Sequence, residues 1–219
     1  MSDAKFSTGH SSGREERLRA ATVGPLQVHG GIIVLAEYDS NWPRLFEREE
    51  TRIRAALGDR VLCIEHVGST SVPGLPAKPI IDIVLVVQNS ADETFYVSAL
   101  AGAGYVLRIR EPEWHEHRMF KGSDPATNLH VFSHGSPEID RMVVFRDWLC
   151  RHAPDRELYE RTKRTLAQQE WKYVQDYADA KSAVVEEILA RAGAGSQANG
   201  KSKLKGPGSY RPQSITEVD

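Results

Sequence analysis

Residues 80–87 form the most apolar run in the chain, and Asp82 is its one polar member. A run of that length predicts a strand buried on both faces. Elsewhere strand-like and helical periods alternate. Residues 32–38 and 61–64 read as strands. Between them Trp42, Leu45, Phe46, Ile53, Ala56 and Leu57 recur at helical spacing, behind possible caps in Asp39-Ser40-Asn41 and a first-turn Pro43. Ser90-Ala91-Asp92-Glu93 has the form of a capping box and predicts a helix to about residue 101, stopped by Gly102 and Gly104. Residues 105–110 predict a strand, and 117–120 with 129–133 predict a strand pair around the turn Gly122-Ser123-Asp124-Pro125. Ser136-Pro137-Glu138 opens a helix whose stripe of Ile139, Met142, Val143 and Leu149 is interrupted by Arg146, which must snorkel or pair with a carboxylate. Helices over 155–169 and 175–191 follow.

Helices scattered among strands, then a helical C-terminal third, predict an α+β domain with a mixed β-sheet and flanking helices. The two ends break the pattern. Residues 1–31 are rich in Ser, Gly, Arg and Glu, and residues 193–219 in Gly, Ser, Lys and Pro. Both are expected to be disordered tails around one domain over 32–192, with a short helix allowed for at 14–21.

Composition narrows the classes. The 219 residues suit one ordinary domain, and 40% hydrophobic with 26% charged residues can build a soluble core. A formal net charge of −2 gives no electrostatic basis for general nucleic-acid or membrane binding. No run reaches the length of a membrane span, and the N-terminus lacks the apolar core of a signal peptide. Cys63 and Cys150 sit in apolar surroundings without metal-ligand spacing. They are expected to be reduced core thiols, which implies a cytoplasmic setting.

Candidate chemistry concentrates in residues 65–83. Gly68-Ser69-Thr70-Ser71 is followed by a connector stiffened by Pro73, Pro76 and Pro79, which delivers Lys78 and Asp82 to the apolar strand. Glycine permits close approach to the backbone, and hydroxyls beside amide groups suit a phosphate. The alternative is a tight turn whose hydroxyls are satisfied locally. An isolated carboxylate in an apolar run needs a partner, and a cation is one candidate. Arg118 and Lys121 join Lys78 as candidates for neutralising a triphosphate. His66 either contacts a phosphate or braces the loop. His115 and His117 share a face if their segment is extended, and with His130 or His134 they could hold a transition metal; a solvated loop is the plainer reading. Arg146-Asp147 suits an internal ion pair. Tyr159 with Lys163, and Tyr177 with Lys181, each lie four apart on one helix face; these lysines could reach over the active-site cleft, but a solvated face is the expectation.

Residues 65–83, with Tyr38-Asp39-Ser40-Asn41-Trp42-Pro43, Asn128-Leu129-His130-Val131 and Phe145-Arg146-Asp147-Trp148-Leu149, resemble the GrpB family over about residues 32–192. Through the Gly-Ser loop and the following aspartate, they also resemble the nucleotidyltransferase superfamily. The resemblance implies a nucleotidyltransferase-like fold in which Gly68, Ser69, Thr70, Ser71 and Lys78 hold a nucleoside triphosphate. It implies Mg²⁺ or Mn²⁺ on Asp82, with an unknown acceptor attacking the α-phosphate. His130 stands where the superfamily carries a third acid, either as metal ligand or as general base. In some bacteria a similar domain is fused to dephospho-coenzyme A kinase. One departure is plain: the superfamily carries a second acid two residues after the first, and here that position is Val84. The leading expectation is therefore a metal-dependent nucleotidyltransferase. The alternative is a non-catalytic nucleotide- or partner-binding module of the same fold, and a weaker third is a hydrolase built on the histidines.

Overall fold

The computed structural model describes residues 9–198. Its centre is a mixed five-stranded sheet of order β1-β2-β5-β4-β3. The strands are β1 (Cys63–Val67), β2 (Ile81–Val87), β3 (Val106–Glu111), β4 (His117–Ser123) and β5 (Ala126–Ser133). β2 runs antiparallel to β1 and parallel to β5, and β5-β4-β3 form an antiparallel meander. The fold is thus α+β, as the alternation of periods predicts.

Burial on both sides of the sheet fixes its register. Ile81, Ile83, Leu85 and Val87 face a core with Phe120, Leu129 and Val131, closed by Trp42, Ile53 and Leu57 of α2 (Trp42–Leu57) and Leu100 of α3 (Val97–Gly102). On the opposite face Val67, Val84, Val86 and Phe132 pack against Ile139, Met142 and Val143 of α4 (Pro137–Arg151). A one-residue slip of β2 would drive Asp82 into the α2 core, and each exposed aliphatic side chain would cost about 1.5–3 kcal/mol. The apolar run therefore determines which face receives Asp82.

The helical third comprises α5 (Ala153–Ala167), α6 (Val174–Ala180) and α7 (Ser182–Ala198). Tyr159, Val184 and Ile188 pack with Leu149 over Val72 and Leu75, so the connector is wedged between sheet and helices. The chain breaks at Lys181, between α6 and α7, where one continuous helix was expected.

Three further expectations change. Residues 32–38 form no strand; they touch the connector through a single bridge, Ala36 to Ala77, made by two backbone hydrogen bonds of 2.8 and 2.9 Å. Ser90 does not cap a helix, because its hydroxyl donates to the Glu116 carbonyl and also meets the Ser133 hydroxyl; only a short turn precedes α3. His115 and Glu116 adopt φ of 54° and 51°, so the segment before β4 turns instead of extending.

Part of the expected N-terminal tail carries structure. α1 (Gly9–Ala21) is followed by a stretch whose Thr22 bridges Ile109 on the edge strand β3 and whose Gly31 bridges Trp171. At the other end, α7 runs past the expected boundary at residue 192. Residues 1–8 and 199–219 of the two expected tails lie outside the described residues. Among the described residues no helix is long and apolar enough to cross a membrane.

Candidate functional site

Asp82, the second residue of β2, lies between Val67 of β1 and Asn128 of β5. Asn128 Nδ2 donates to Asp82 Oδ1 at 2.6 Å, and Lys121 Nζ donates to Asn128 Oδ1, also at 2.6 Å. The second hydrogen bond settles which end of the Asn128 amide faces the carboxylate. The Asp82 side chain keeps 28% of its exposure. Even so, enough protein surrounds it that burial is the largest influence on its pKa, and raises it. A carboxylate both walled and wetted lies in a recess.

The Asn128 hydrogen bond counters that burial most, and three lysines add to it: Lys78, Lys181 and Lys121 each pull the Asp82 pKa back down. The buried ring of Tyr177 holds two of them, with Lys181 Nζ 4.5 Å and Lys78 Nζ 5.6 Å from its centroid. Burial in turn lowers the lysines, Lys78 to about 8, and Lys181 in the same direction.

Lys163 is the fourth. Expected on a solvated face, it is 2% exposed beneath the loop. Its Nζ donates to Ser69 Oγ at 3.0 Å and to the Pro76 carbonyl, and it lies 5.0 Å from the Tyr159 ring centroid. Burial brings its pKa down to about 7.

The loop divides its hydroxyls. Ser71 Oγ donates to the Gly68 carbonyl at 2.6 Å, and Thr70 Oγ1 donates to the Ile80 carbonyl while meeting His66 Nε2 at 3.0 Å. His66 is itself stacked on Phe46, with ring centroids 4.8 Å apart, and burial pushes it down to about 4. It braces the loop. Thr70 and Ser71 thus follow the local-turn reading, whereas Ser69 is tied to Lys163. Gly68 is required by geometry: at φ 70° and ψ −171°, a β-carbon there would sit 2.4 Å from Asp82 Oδ2.

His130 lies on the same face, level with Val84, its Nε2 4.0 Å from Asp82 Oδ1. Its Nδ1 meets His117 Nε2 at 3.0 Å, and His117 Nδ1 meets Glu111 at 2.7 Å. Burial is the main reason His130 falls to about 3. Lys121 is also on this face, whereas Arg118 is not brought to it. Arg118 pairs with Val131 on β5, points into the α2 side, and spends its guanidinium on Glu93 at 2.7 Å and on the Glu116 carbonyl. Arg146 is the internal ion pair anticipated, bound to Glu65 and Asp147 at 2.8 Å each. Cys63 and Cys150 are both free, but Cys150 is exposed, not in the core.

Sequence reasoning missed Glu111 and Tyr177 as parts of this face and set Lys163 and Lys181 aside. The two Tyr–Lys pairs were the available signal: a tyrosine one turn before a lysine can shield its stem from water.

A resident divalent ion is a poor fit. Mg²⁺ needs near-octahedral oxygen ligation, and this recess offers Asp82 amid lysines. Val84 points the same way but is fully buried against Val67, Val86 and Ile139. Among the described residues no group of three or more His, Cys, Asp or Glu is placed to hold a metal. The imidazoles of His117 and His130 are bonded to each other, so the transition-metal site is not assembled either.

The fold and recess define an α+β domain with a cationic site at the head of its central strand. The chain belongs to the GrpB family, whose model, described as GrpB protein, matches residues 32–191. It is 59% identical to a UPF0157 protein of Halalkalibacterium halodurans, over 89% of this chain and all of that one. It is 43% identical to a UPF0157 protein of Streptomyces coelicolor, over 84% of this chain and 97% of that one. A relative named dephospho-CoA kinase, from Mycolicibacterium paratuberculosis, shares 30% identity over 65% of this chain, which spans only 41% of that protein. The crystal structure of GrpB from Enterococcus faecalis matches with a TM-score of 0.65 and 28% identity, covering 73% of this chain and 96% of that one.

Proposed function

We propose that this domain binds a nucleoside triphosphate by its phosphates in the recess over Asp82 and transfers the nucleotidyl group to a hydroxyl acceptor. The observation that carries the reading is the set of lysines, Lys78, Lys121 and Lys181, gathered around a single carboxylate. Burial lowers the pKa of each of these lysines, and an incoming phosphate would offset that cost by pairing with the cations. The Gly68 loop, braced by His66 and anchored by Lys163, gives the phosphates a close backbone approach. A relative named dephospho-CoA kinase that shares this region supports a nucleotide-linked setting, and two free thiols suit a cytoplasmic location. Mg²⁺ or Mn²⁺ would enter with the nucleotide instead of residing on the protein.

The second reading is a binding module without chemistry. It is favoured by Val84, which leaves β2 with one carboxylate where the nucleotidyltransferase superfamily that the chain resembles carries two.

Calorimetric titration of the full chain with ATP, GTP, CTP and UTP, in Mg²⁺ and in EDTA, tests the proposal. At least one nucleotide should bind, and Lys78→Gln and Lys181→Gln should each weaken it about tenfold, equivalent to about 1.4 kcal/mol. No binding by any nucleotide, or lysine variants that bind like the parent, would overturn it.

A further inference from the structure

Glu111, His117 and His130 form a hydrogen-bonded line that runs from the surface into the recess. Glu111 is 35% exposed on β3, His117 is buried on β4, and His130 is on β5. Strand pairing sets the line: Glu111 lies opposite His117, and Met119 opposite His130. Aromatic packing holds it flat. His117 is stacked 4.8 Å from Phe132 and 5.2 Å from His130, and the edge of Trp114 closes over it at 5.2 Å.

Hydrogen-bond logic assigns the protons. A carboxylate accepts, so His117 Nδ1 carries a hydrogen toward Glu111 Oε2, 2.7 Å away. A neutral His117 then has a bare Nε2, which must accept from His130 Nδ1 at 3.0 Å. That leaves His130 Nε2 bare and aimed at Asp82. The 4.0 Å gap to Asp82 Oδ1 agrees, since an N–H there would close on the carboxylate to a hydrogen-bond distance of about 2.8 Å. A hydroxyl beside this gap has one hydrogen to donate, and the bare Nε2 can accept it.

We propose that Glu111 and His117 lock His130 in the Nδ1–H tautomer, so that its bare Nε2 faces the recess as the base for the acceptor hydroxyl. The chemical part rests on the nucleotidyl-transfer reading; the tautomer does not. In that step the hydroxyl oxygen forms a bond to the α-phosphorus while its proton passes to His130 Nε2. The bond from the α-phosphorus to the bridging oxygen breaks, and pyrophosphate leaves with that electron pair. The new positive charge is shared through Nδ1–H to His117, whose own Nδ1–H faces Glu111. His130 is then the catalytic residue, while Glu111 and His117 position it.

Long-range proton–nitrogen NMR of the ¹⁵N-labelled full chain reads the tautomer directly, with the His130 signals identified by their loss in His130→Gln. The expected pattern is a protonated Nδ1 and a bare Nε2. His117→Phe, which keeps the aromatic packing, should shift His130 toward Nε2–H; Glu111→Ala should do so in part and serves if the first variant fails to fold. An Nε2–H tautomer in the parent protein, which would mean a doubly protonated His117, overturns the proposal. So does a pattern unchanged in both variants. The expected tautomer in a protein that binds no nucleotide would uphold the lock and remove the transfer reading, and nucleotide binding with the other tautomer would remove the lock alone.

Discussion

Gly68 and Asp82 meet where the loop turns over the second residue of β2. A β-carbon on Gly68 would lie 2.4 Å from Asp82 Oδ2 and 2.9 Å from Asp82 Cβ. The oxygen could swing aside, but the β-carbon is fixed to the strand backbone.

Gly68→Ala should therefore be destabilising. Its backbone, at φ 70° and ψ −171°, lies in a region that only glycine occupies readily, and strain of this kind costs about 1–3 kcal/mol before the collision is added. Urea denaturation of the variant should show at least that loss, with an unchanged slope. Stability equal to the parent would mean that the loop can lift from Asp82.

Lys163 should give the fold a pH dependence. Burial holds its folded pKa at about 7, below the 10.5 of an ordinary lysine. Between those values the unfolded chain holds a proton that the native state has released, so stability rises as pH rises through that window. Below about pH 7 both states are charged, and the full cost of burying the cation remains. Lys163→Met removes this contribution, so the parent should gain on the variant between pH 6.5 and pH 9. Parallel profiles for the two proteins would show that Lys163 is not desolvated.

Much of this site was legible in the sequence, including Lys78 and Lys121 of its cationic half, but not the rest of that half. β2 and Asp82 were visible because an apolar run with one acid fixes both the strand and the outlier. The β4–β5 pair was visible from its turn. Lys163 and Lys181 were not, because a four-residue spacing shows that two side chains share a face without showing what covers it. Nor did Lys181 carry the Gly or Pro that usually marks a helix break. Residues 32–38 have the composition of a strand, yet they pair only through one bridge to Ala77; β propensity describes fit to a sheet, not a vacant place in one. Arg118 and Lys121 were grouped although three residues apart on one strand. That odd spacing puts them on opposite faces, so the separation was available from parity alone.

Asp82→Asn separates binding from chemistry. The Asn128 hydrogen bond survives, because the new side-chain oxygen can still accept, but the charge opposing a phosphate disappears. Inorganic triphosphate in EDTA should bind more tightly, by about threefold to tenfold, or roughly 1 kcal/mol. Nucleotidyl transfer should fall. Weaker binding that appears only with Mg²⁺ present would show a divalent ion bridging Asp82 to the nucleotide. Weaker binding in EDTA as well would remove the lysine-centred description of the recess.

Removing residues 1–31 should cost stability, because this segment covers a sheet edge. Val23 N donates to the Arg108 carbonyl at 2.8 Å, Arg108 donates back to the Pro25 carbonyl at 2.9 Å, and Thr22 bridges Ile109. All three act on β3, an edge strand of the sheet. The segment is tied down again at His29, whose N–H donates to the Lys172 carbonyl, and through Arg14, paired with Asp176 at 2.7 Å and Asp179 at 2.6 Å. The exposed ion pairs contribute little individually. The backbone bonds matter more, since an uncovered edge presents unpaired N–H and C=O groups that favour association with other chains. A chain beginning at Ile32 should melt at least about 4 °C lower, given roughly 2–4 °C per kcal/mol for a domain of this size. It should also aggregate more readily at high concentration, measured by light scattering. An unchanged midpoint with no added scattering would show that these contacts contribute nothing measurable, and that the domain boundary lies at residue 32, where the polar composition of the first 31 residues puts it.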